Sequence, residues 1–170
     1  MKIVKYIVIL TLSVVLSLFT LGLLNPTIQV QDKLEIASDP PQVFAVLFDP
    51  GAIQKWFPQV VDIKHLEGMP FMEGSKEVCI IKVGNKNQEF ITELVNFEPY
   101  KNVTLGIEND KFSGTLEVNF FENGKNTTVS YTNTLKPKNI FYRALFALTE
   151  SMIEKRFHQT FEQFKLVAEA

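Results

Sequence analysis

The chain begins with a long apolar run and then changes to a pattern in which apolar and polar residues alternate. Residues Tyr6–Leu24 include no charged side chain, and Lys2 and Lys5 precede them. A helix rises ~1.5 Å per residue, so this run reaches roughly 28 Å, close to the ~30 Å hydrocarbon core of a bilayer. The pattern predicts a transmembrane anchor over residues 1–25, followed by a single domain over residues 26–170.

The two lysines predict the orientation of this helix. Positive residues beside a membrane span stay on the cytoplasmic side, so we expect the following domain to be extracytoplasmic, in a periplasm or at a cell surface. The alternative is a secretory signal peptide, for which Thr20–Gly22 is a passable cleavage site. The apolar run exceeds the ~7–15 residues of a usual signal, and this length favours an uncleaved anchor.

After the anchor, alternation predicts the strands of an α+β domain. Apolar residues alternate with polar ones in Ile28–Ile36, where Asp32 is the polar exception on the apolar side. Similar runs within Val60–Leu135 predict an antiparallel meander of about six strands. Between two of them, Asn123-Gly124 predicts a tight type I′ hairpin turn, which needs positive φ at both central residues.

Two short helices are predicted between the first strand and the second. Ser38 or Asp39 can cap the first helix, and Pro40-Pro41 suits its first turn. Asp49-Pro50-Gly51 ends this helix, and Ile53–Phe57 forms the second.

The end of the chain, Lys138–Ala170, predicts one long amphipathic helix, because no glycine or proline interrupts it. Its apolar residues follow helical spacing in two successive groups, first Phe141, Leu145, Leu148 and Met152, then Ile153, Phe157, Phe161, Phe164 and Ala168. We expect both groups to lie against a curved sheet. Residues Ile140–Leu148 are apolar nearly all round, which burial on two sides explains; the alternative is that they dip into the membrane.

Composition narrows the classes of function. The hydrophobic content of 46% and the 15 phenylalanines exclude a disordered chain and provide for a sizeable core. The net charge of −2, without a clustered basic face, disfavours a nucleic-acid partner. With one cysteine and two histidines the chain has no internal disulfide, and we expect neither a metal site nor a cofactor.

Three short segments stand in the order found in a known family. Ile36–Phe44 is similar to a hydrophobic-x-Ala-Pro-Pro-x-x-Val-Phe segment at the start of a first helix. Asp49-Pro50 and Trp56-Phe57-Pro58 are similar to an Asp-Pro…Trp-x-x-Trp-x-Pro segment with one of its two tryptophans, and Phe97–Tyr100 matches a proline-containing hairpin. With the order of elements, these segments make Ile28–Ala170 resemble the START-like, or SRPBCC, superfamily, and within it the polyketide cyclase/dehydrase and lipid transport branch.

The resemblance implies a helix-grip fold, in which a curved antiparallel sheet of about seven strands wraps on a long C-terminal helix. It also implies a cavity between sheet and helix, which relatives use mostly for lipids or other hydrophobic small molecules. We therefore predict membrane-tethered binding of such a molecule in preference to catalysis. The alternatives are a polyketide-cyclase-like or hydrolase-like enzyme that uses the same cavity, and a ligand-free protein-interaction domain.

Residues expected on inward faces are the candidates for lining the cavity. They are Phe44, Phe48, Trp56, Ile91, Glu93, Phe112, Leu116, Tyr131, Asn133, Phe157 and Phe161. Strand alternation puts Glu93 inward with Ile91, and Tyr131 inward with Asn133. Tyr131 and Asn133 could orient the head group of a ligand, or they could satisfy each other.

We identify no catalytic residue, because no nucleophile is accompanied by a His/Asp set and no glycine-rich phosphate loop is present. In the enzyme alternative, Glu93, Tyr131 or His65 would handle protons. His158 is expected in solvent, on the polar face of the long helix.

Overall fold

The computed structural model describes residues 2–170 of the chain. This part forms four helices and seven strands. In chain order they are α1 Lys2–Leu24, β1 Ile28–Ile36, α2 Pro40–Phe48, α3 Pro50–Trp56, β2 Val60–Glu67, β3 Lys76–Val83, β4 Lys86–Glu98, β5 Asn102–Glu108, β6 Phe112–Asn123, β7 Asn126–Pro137 and α4 Ile140–Ala168. The predicted order of elements is confirmed.

The seven strands form one antiparallel sheet in the order β1-β7-β6-β5-β4-β3-β2. Strands β2 to β7 follow one another as hairpins, whereas β1 pairs with β7. The link from β1 to β2 must therefore cross from one edge of the sheet to the other. Helices α2 and α3 form this link, and α4 packs with them over the same face. The predicted helix-grip fold is confirmed.

The tightly packed part of the interior lies between α2, α3, the second half of α4 and the inner faces of β1 and of β4 to β7. Along β7, every second residue from Thr127 to Leu135 is buried, as expected of a strand with one covered face. Phe161 and Phe164 of α4 are buried against this face.

Asp49 separates the two short helices. Its N–H donates to the Ala45 carbonyl at the end of α2, and its Oδ1 accepts from the Gly51 N–H at 2.9 Å at the start of α3. Because the aspartate is itself the N-cap, α3 begins at Pro50 rather than at the predicted Ile53.

The β6–β7 hairpin differs from its prediction. Asn123 pairs with Asn126, so the central residues of the turn are Gly124 and Lys125. Gly124 has a φ of 66°, whereas Lys125 does not adopt a positive φ. A positive φ at the first central residue alone is the type II′ pattern, and the predicted type I′ turn is wrong.

Helix α4 buries one of its two apolar groups and exposes the other. The second group, from Ile153 to Ala168, is buried or half-buried as predicted. The exposed fractions in the first group are 75% for Phe141, 52% for Leu145, 62% for Leu148 and 55% for Met152, so its predicted burial is wrong. Successive residues are turned by about 100° around a helix, and Met152 and Ile153 therefore lie on different faces.

Helix α1 contacts the rest of the chain near its C-terminal end, where Gly22 is buried against the first turns of α4. A Cβ atom at Gly22 would lie 2.8 Å from Ile140 Cγ1 and 3.3 Å from the Ala144 nitrogen. Glycine is therefore what lets the two helices approach so closely. Residues 3–20 of α1 are exposed, and the span Ile3–Leu24 is long and apolar enough to cross a membrane.

Candidate functional site

Beside the packed core, the inner face of the sheet is only half-buried where it faces the first half of α4. The half-buried residues of sheet and helix are Phe90, Leu105, Phe112, Leu116, Phe146, Ile153 and Phe157. The Phe112 ring lies 5.9 Å from the Phe90 ring and 5.6 Å from the Phe146 ring. Strands and helix thus share one half-buried apolar surface, which we call the hollow because the predicted cavity is expected there.

An open cleft of about 550 Å³ lies between the β1 edge of the sheet and α4. Its lining residues are Val30, Gln31, Asp32, Tyr131, Ser151, Glu154, Lys155 and His158. Tyr131 belongs to the buried inner face of β7. The cleft therefore reaches from solvent to a residue of the interior.

Tyr131 and Asn133 are the polar groups of this interior. They are 1% and 0% exposed, and the Tyr131 ring stacks on Phe161 with 3.7 Å between ring centroids. Within the described chain, neither the Tyr131 hydroxyl nor the Asn133 amide has a hydrogen-bond partner, so the two do not satisfy each other. Because a buried polar group without a partner is costly, these atoms are suited to bind a polar group of a ligand.

The charge around Tyr131 is negative. Burial raises the pKa of Tyr131 to about 12, and the carboxylates of Asp32 and Glu162 act on that pKa in the same direction. The hydroxyl therefore keeps its proton at any physiological pH and can act as a hydrogen-bond donor. The same carboxylates disfavour an anionic ligand group at this position.

Asp32 and His158 join β1 to α4 at the mouth of the cleft. His158 Nδ1 lies 2.7 Å from Asp32 Oδ2, and His158 Nε2 lies 3.9 Å from Glu162 Oε1. His158 is exposed, as predicted, and in addition contacts Asp32. The polar exception at Asp32 on the apolar side of its strand was the available sequence signal for this contact.

The predicted inner face of β4 is wrong. Ile91 and Val95 are 44% and 50% exposed, and Glu93 shares their outer face, whereas Leu94 is buried. A register shift between Leu94 and Asn96 reverses the alternation towards the end of the strand. The prediction assumed one uninterrupted alternation through to Phe97, which does pack against the core, so it placed Ile91 and Glu93 inward by mistake.

The candidates from α2 and α3 lie in the packed core. The Phe44 ring contacts the rings of Phe48 and Phe97, with centroids 4.9 Å and 5.7 Å away. Trp56 donates its indole N–H to the Val46 carbonyl at 3.1 Å. Of the predicted lining residues, Phe112, Leu116 and Phe157 belong to the hollow and Tyr131 lines the cleft. Asn133, which pairs with Leu116, and Phe161, which stacks on Tyr131, adjoin them.

Two further residues with reactive side chains lie apart from the cleft. His65 is exposed on the edge strand β2, where a ring nitrogen lies 2.9 Å from the Gly68 carbonyl oxygen. Cys79 is on β3, and its pKa is raised to about 11 by burial and, to a lesser degree, by the charge of Glu77. Its thiol is consequently neutral at physiological pH and packs as a small apolar group.

Comparison with protein families finds one family across nearly the whole domain. The family model described as "Polyketide cyclase / dehydrase and lipid transport" matches residues 27–169. No curated protein matches the chain at a significant level of sequence similarity.

Several solved structures share this fold at low sequence identity. The Zhui aromatase/cyclase from Streptomyces sp. R1128 has a TM-score of 0.69 and 14% identity, with 84% of this chain and 94% of that chain covered. Protein SA2116 of unknown function from Staphylococcus aureus has a TM-score of 0.65 and 18% identity, with 84% of this chain and 95% of that chain covered. TTHA0849 from Thermus thermophilus has a TM-score of 0.67 and 12% identity, with 82% of this chain and 96% of that chain covered. At these identities the likeness concerns the fold alone.

Proposed function

This chain belongs to the polyketide cyclase/dehydrase and lipid transport family, and from this membership we propose that it binds a lipid or another hydrophobic small molecule between the sheet and α4. The observation that carries the proposal is the pair of buried, unpartnered polar groups on Tyr131 and Asn133 beside a half-buried apolar hollow. Pockets for small molecules combine a mostly apolar lining with a few convergent polar groups, and this arrangement has both.

The apolar part of the ligand would lie against the half-buried residues of the hollow. Each square ångström of apolar surface removed from water contributes roughly 25 cal/mol to binding. The head group would bond to the Tyr131 hydroxyl and the Asn133 amide, at about 0.5–1.5 kcal/mol for each hydrogen bond. Since Asp32 and Glu162 make this end negative, we propose an uncharged head, such as a carbonyl, hydroxyl or amide.

We propose that α1 tethers the domain to a membrane. Its span Ile3–Leu24 has the length and hydropathy for crossing, and residues 3–20 are exposed. A secretory signal near the N-terminus has the same properties, but the close contact between Gly22 and α4 favours a segment that is retained. Lys2 and Lys5 favour a cytoplasmic N-terminus and an extracytoplasmic domain.

Native mass spectrometry of the full chain, purified in detergent, tests ligand binding. We expect a one-to-one adduct of a hydrophobic molecule that survives removal of the detergent micelle. Asn133→Leu should lose this adduct, whereas Gln159→Leu, at an exposed position of α4, should retain it. Absence of an adduct, or equal adducts in both variants, would contradict the proposal.

Catalysis in the same cleft is the second candidate function. It is favoured by the 2.7 Å contact between Asp32 and His158, because a carboxylate that orients an imidazole is a common acid–base arrangement. Tyr131 lines the same cleft and can donate a proton in a hydrogen bond. A polyketide-cyclase-like or hydrolase-like turnover that is lost in His158→Gln, with unchanged thermal unfolding, would support this function over simple binding.

A further inference from the structure

Helix α4 carries an apolar surface that nothing in the described chain covers. We name it the outer stripe, and its residues are Phe141, Leu145, Leu148 and Met152. All four are more than half exposed, and they extend over about 16 Å at ~1.5 Å per residue. They lie roughly 120° round α4 from Phe146 and Ile153, which pack against the core. A contiguous exposed stripe of large apolar residues marks a contact surface.

The outer stripe begins at the place where α1 meets the domain. Gly22 of α1 packs against Ile140 and Ala144, and Phe141 lies between these two residues in α4. Gly22 is also near the end of the apolar span Ile3–Leu24. If α1 crosses a bilayer, this contact holds the start of α4 at the depth where α1 leaves the hydrocarbon core.

We propose that the outer stripe is inserted in the membrane leaflet from which α1 emerges. The occupant is the bilayer, because the stripe starts at Phe141, next to the contact of Ile140 with Gly22, and this contact holds the first turn of α4 at the end of the exposed apolar helix α1. The same end of α4 is surrounded by the exposed Lys136, by Lys138, which pairs with Glu108 at 2.7 Å, and by the half-buried Arg143. Basic side chains beside an apolar helix face are typical of helices that lie at an anionic membrane surface.

This placement also determines where the mouth of the cleft lies relative to the membrane. The outer stripe ends at Met152, and the cleft begins on the same helix at Ser151, Glu154 and Lys155. The mouth of the cleft therefore lies beside the lipid head groups, where a hydrophobic molecule can pass between bilayer and protein without crossing water. The inference rests on the proposed tether but does not depend on which molecule the hollow takes.

Depth-dependent quenching of a fluorescent label tests the inference. The chain has a single cysteine, Cys79, so Cys79→Ser provides a parent for Leu145→Cys and Leu148→Cys. Each full-length variant is labelled and reconstituted in phosphatidylcholine vesicles, with and without doxyl-labelled lipid. We expect the doxyl lipid to quench both labels several-fold more than aqueous iodide does. Phe121→Cys, an exposed apolar position on β6 far from α1, is the control and should show the opposite preference.

Two results would overturn the inference. Quenching of the stripe labels by iodide alone would mean that the stripe lies in water. Protection from both quenchers would mean that protein covers it, either a second copy, if dilution in lipid removes the protection, or another partner. Thermal unfolding must match that of the Cys79→Ser parent.

The tether is measured separately, by resistance of the parent to alkaline extraction from the vesicles. A chain that resists extraction while its stripe is in water would contradict this inference and leave the proposed function intact. Stripe labels quenched by doxyl lipid in a chain that carries no ligand adduct would support this inference and contradict the proposed function.

Discussion

Asn133 is fully buried between Val30 of β1 and Leu116 of β6, yet its amide has no partner in the described chain. An unsatisfied buried amide costs about 1–3 kcal/mol. Leucine has nearly the same size and no polar atoms. We therefore expect Asn133→Leu to raise the free energy of unfolding of the ligand-free chain by about 1 kcal/mol or more, measured by urea unfolding in detergent.

Asn119 provides the matched control for this change. Its amide donates to Glu117 Oε1 at 3.0 Å and accepts from Asn102 at 2.7 Å. Asn119→Leu breaks these bonds and should lower stability. If both variants were destabilised alike, Asn133 would be structurally satisfied and the argument for a ligand head group would fail.

Cys79 offers a test of the interior at β3, away from the cleft. Its pKa of about 11 lies above the ordinary value of 9.0, so the folded chain holds little reactive thiolate at pH 8. We expect reaction with an aromatic disulfide to be more than about tenfold slower in the folded chain than in urea. The raised pKa also predicts stability that is present below pH 9 and falls as the pH rises towards 11. Equal reaction rates in the two states would mean that Cys79 is open to solvent.

Single residues could be predicted where the strand is regular. Tyr131 and Asn133 lie on an uninterrupted strand, so alternation identified them as inward and buried. Ile91 and Glu93 lie before a bulge, which no residue type announces, and their face was wrong. Asp32 stood out as a polar residue on an apolar side, but its partner on α4 depends on how the helix crosses the sheet.

Between elements, the close contact of α1 with α4 depends on a residue without a side chain. Any Cβ at Gly22 would collide with Ile140. We expect Gly22→Leu to separate the two helices and to lower the free energy of unfolding by about 1–3 kcal/mol. Thermal unfolding of the full chain in detergent measures the change, and Leu23→Ala, at an exposed neighbouring position, should leave it nearly unchanged. An unaltered Gly22→Leu variant would mean that α1 does not pack against the domain.

Asp49 serves two elements at once, because it ends α2 and caps α3. Removal of an N-cap side chain typically costs about 1 kcal/mol, and we expect Asp49→Ala to lose about this much stability. Urea unfolding compares it with Asp110→Ala, at an exposed turn position, which should change little. Equal effects would show that the short helices need no cap.

The elements themselves could largely be predicted, since alternation and turn residues are local signals. These signals do not show which face of an element packs against the rest of the domain. Helix α4 has two apolar groups with equally good spacing, and helical periodicity cannot tell which of them faces the sheet. The structure buries the group from Ile153 to Ala168 and leaves Phe141 to Met152 exposed, next to the apolar α1.

At the scale of the whole molecule, one additional helix precedes the fold of the family. Family membership accounts for residues 27–169, whereas α1 precedes this part and contacts it at the first turns of α4. The cleft between β1 and α4 lies further along the same helix, roughly 10–20 Å beyond this contact at ~1.5 Å per residue. With the proposed tether, this contact would couple the fold to the membrane, and the side of the membrane on which the domain lies is testable without knowing the ligand.

We expect the domain on the extracytoplasmic side and the chain uncleaved, because Lys2 and Lys5 flank the N-terminal end of the span and Gly22 packs in the fold. Alkaline phosphatase, which folds only outside the cytoplasm, would be active when fused after Ala170. Intact-mass measurement should give the full 19.4 kDa for the untagged chain. A mass lower by residues 1–22 would identify a signal peptide instead. An inactive fusion would place the domain in the cytoplasm, so that the cleft would open at the inner leaflet.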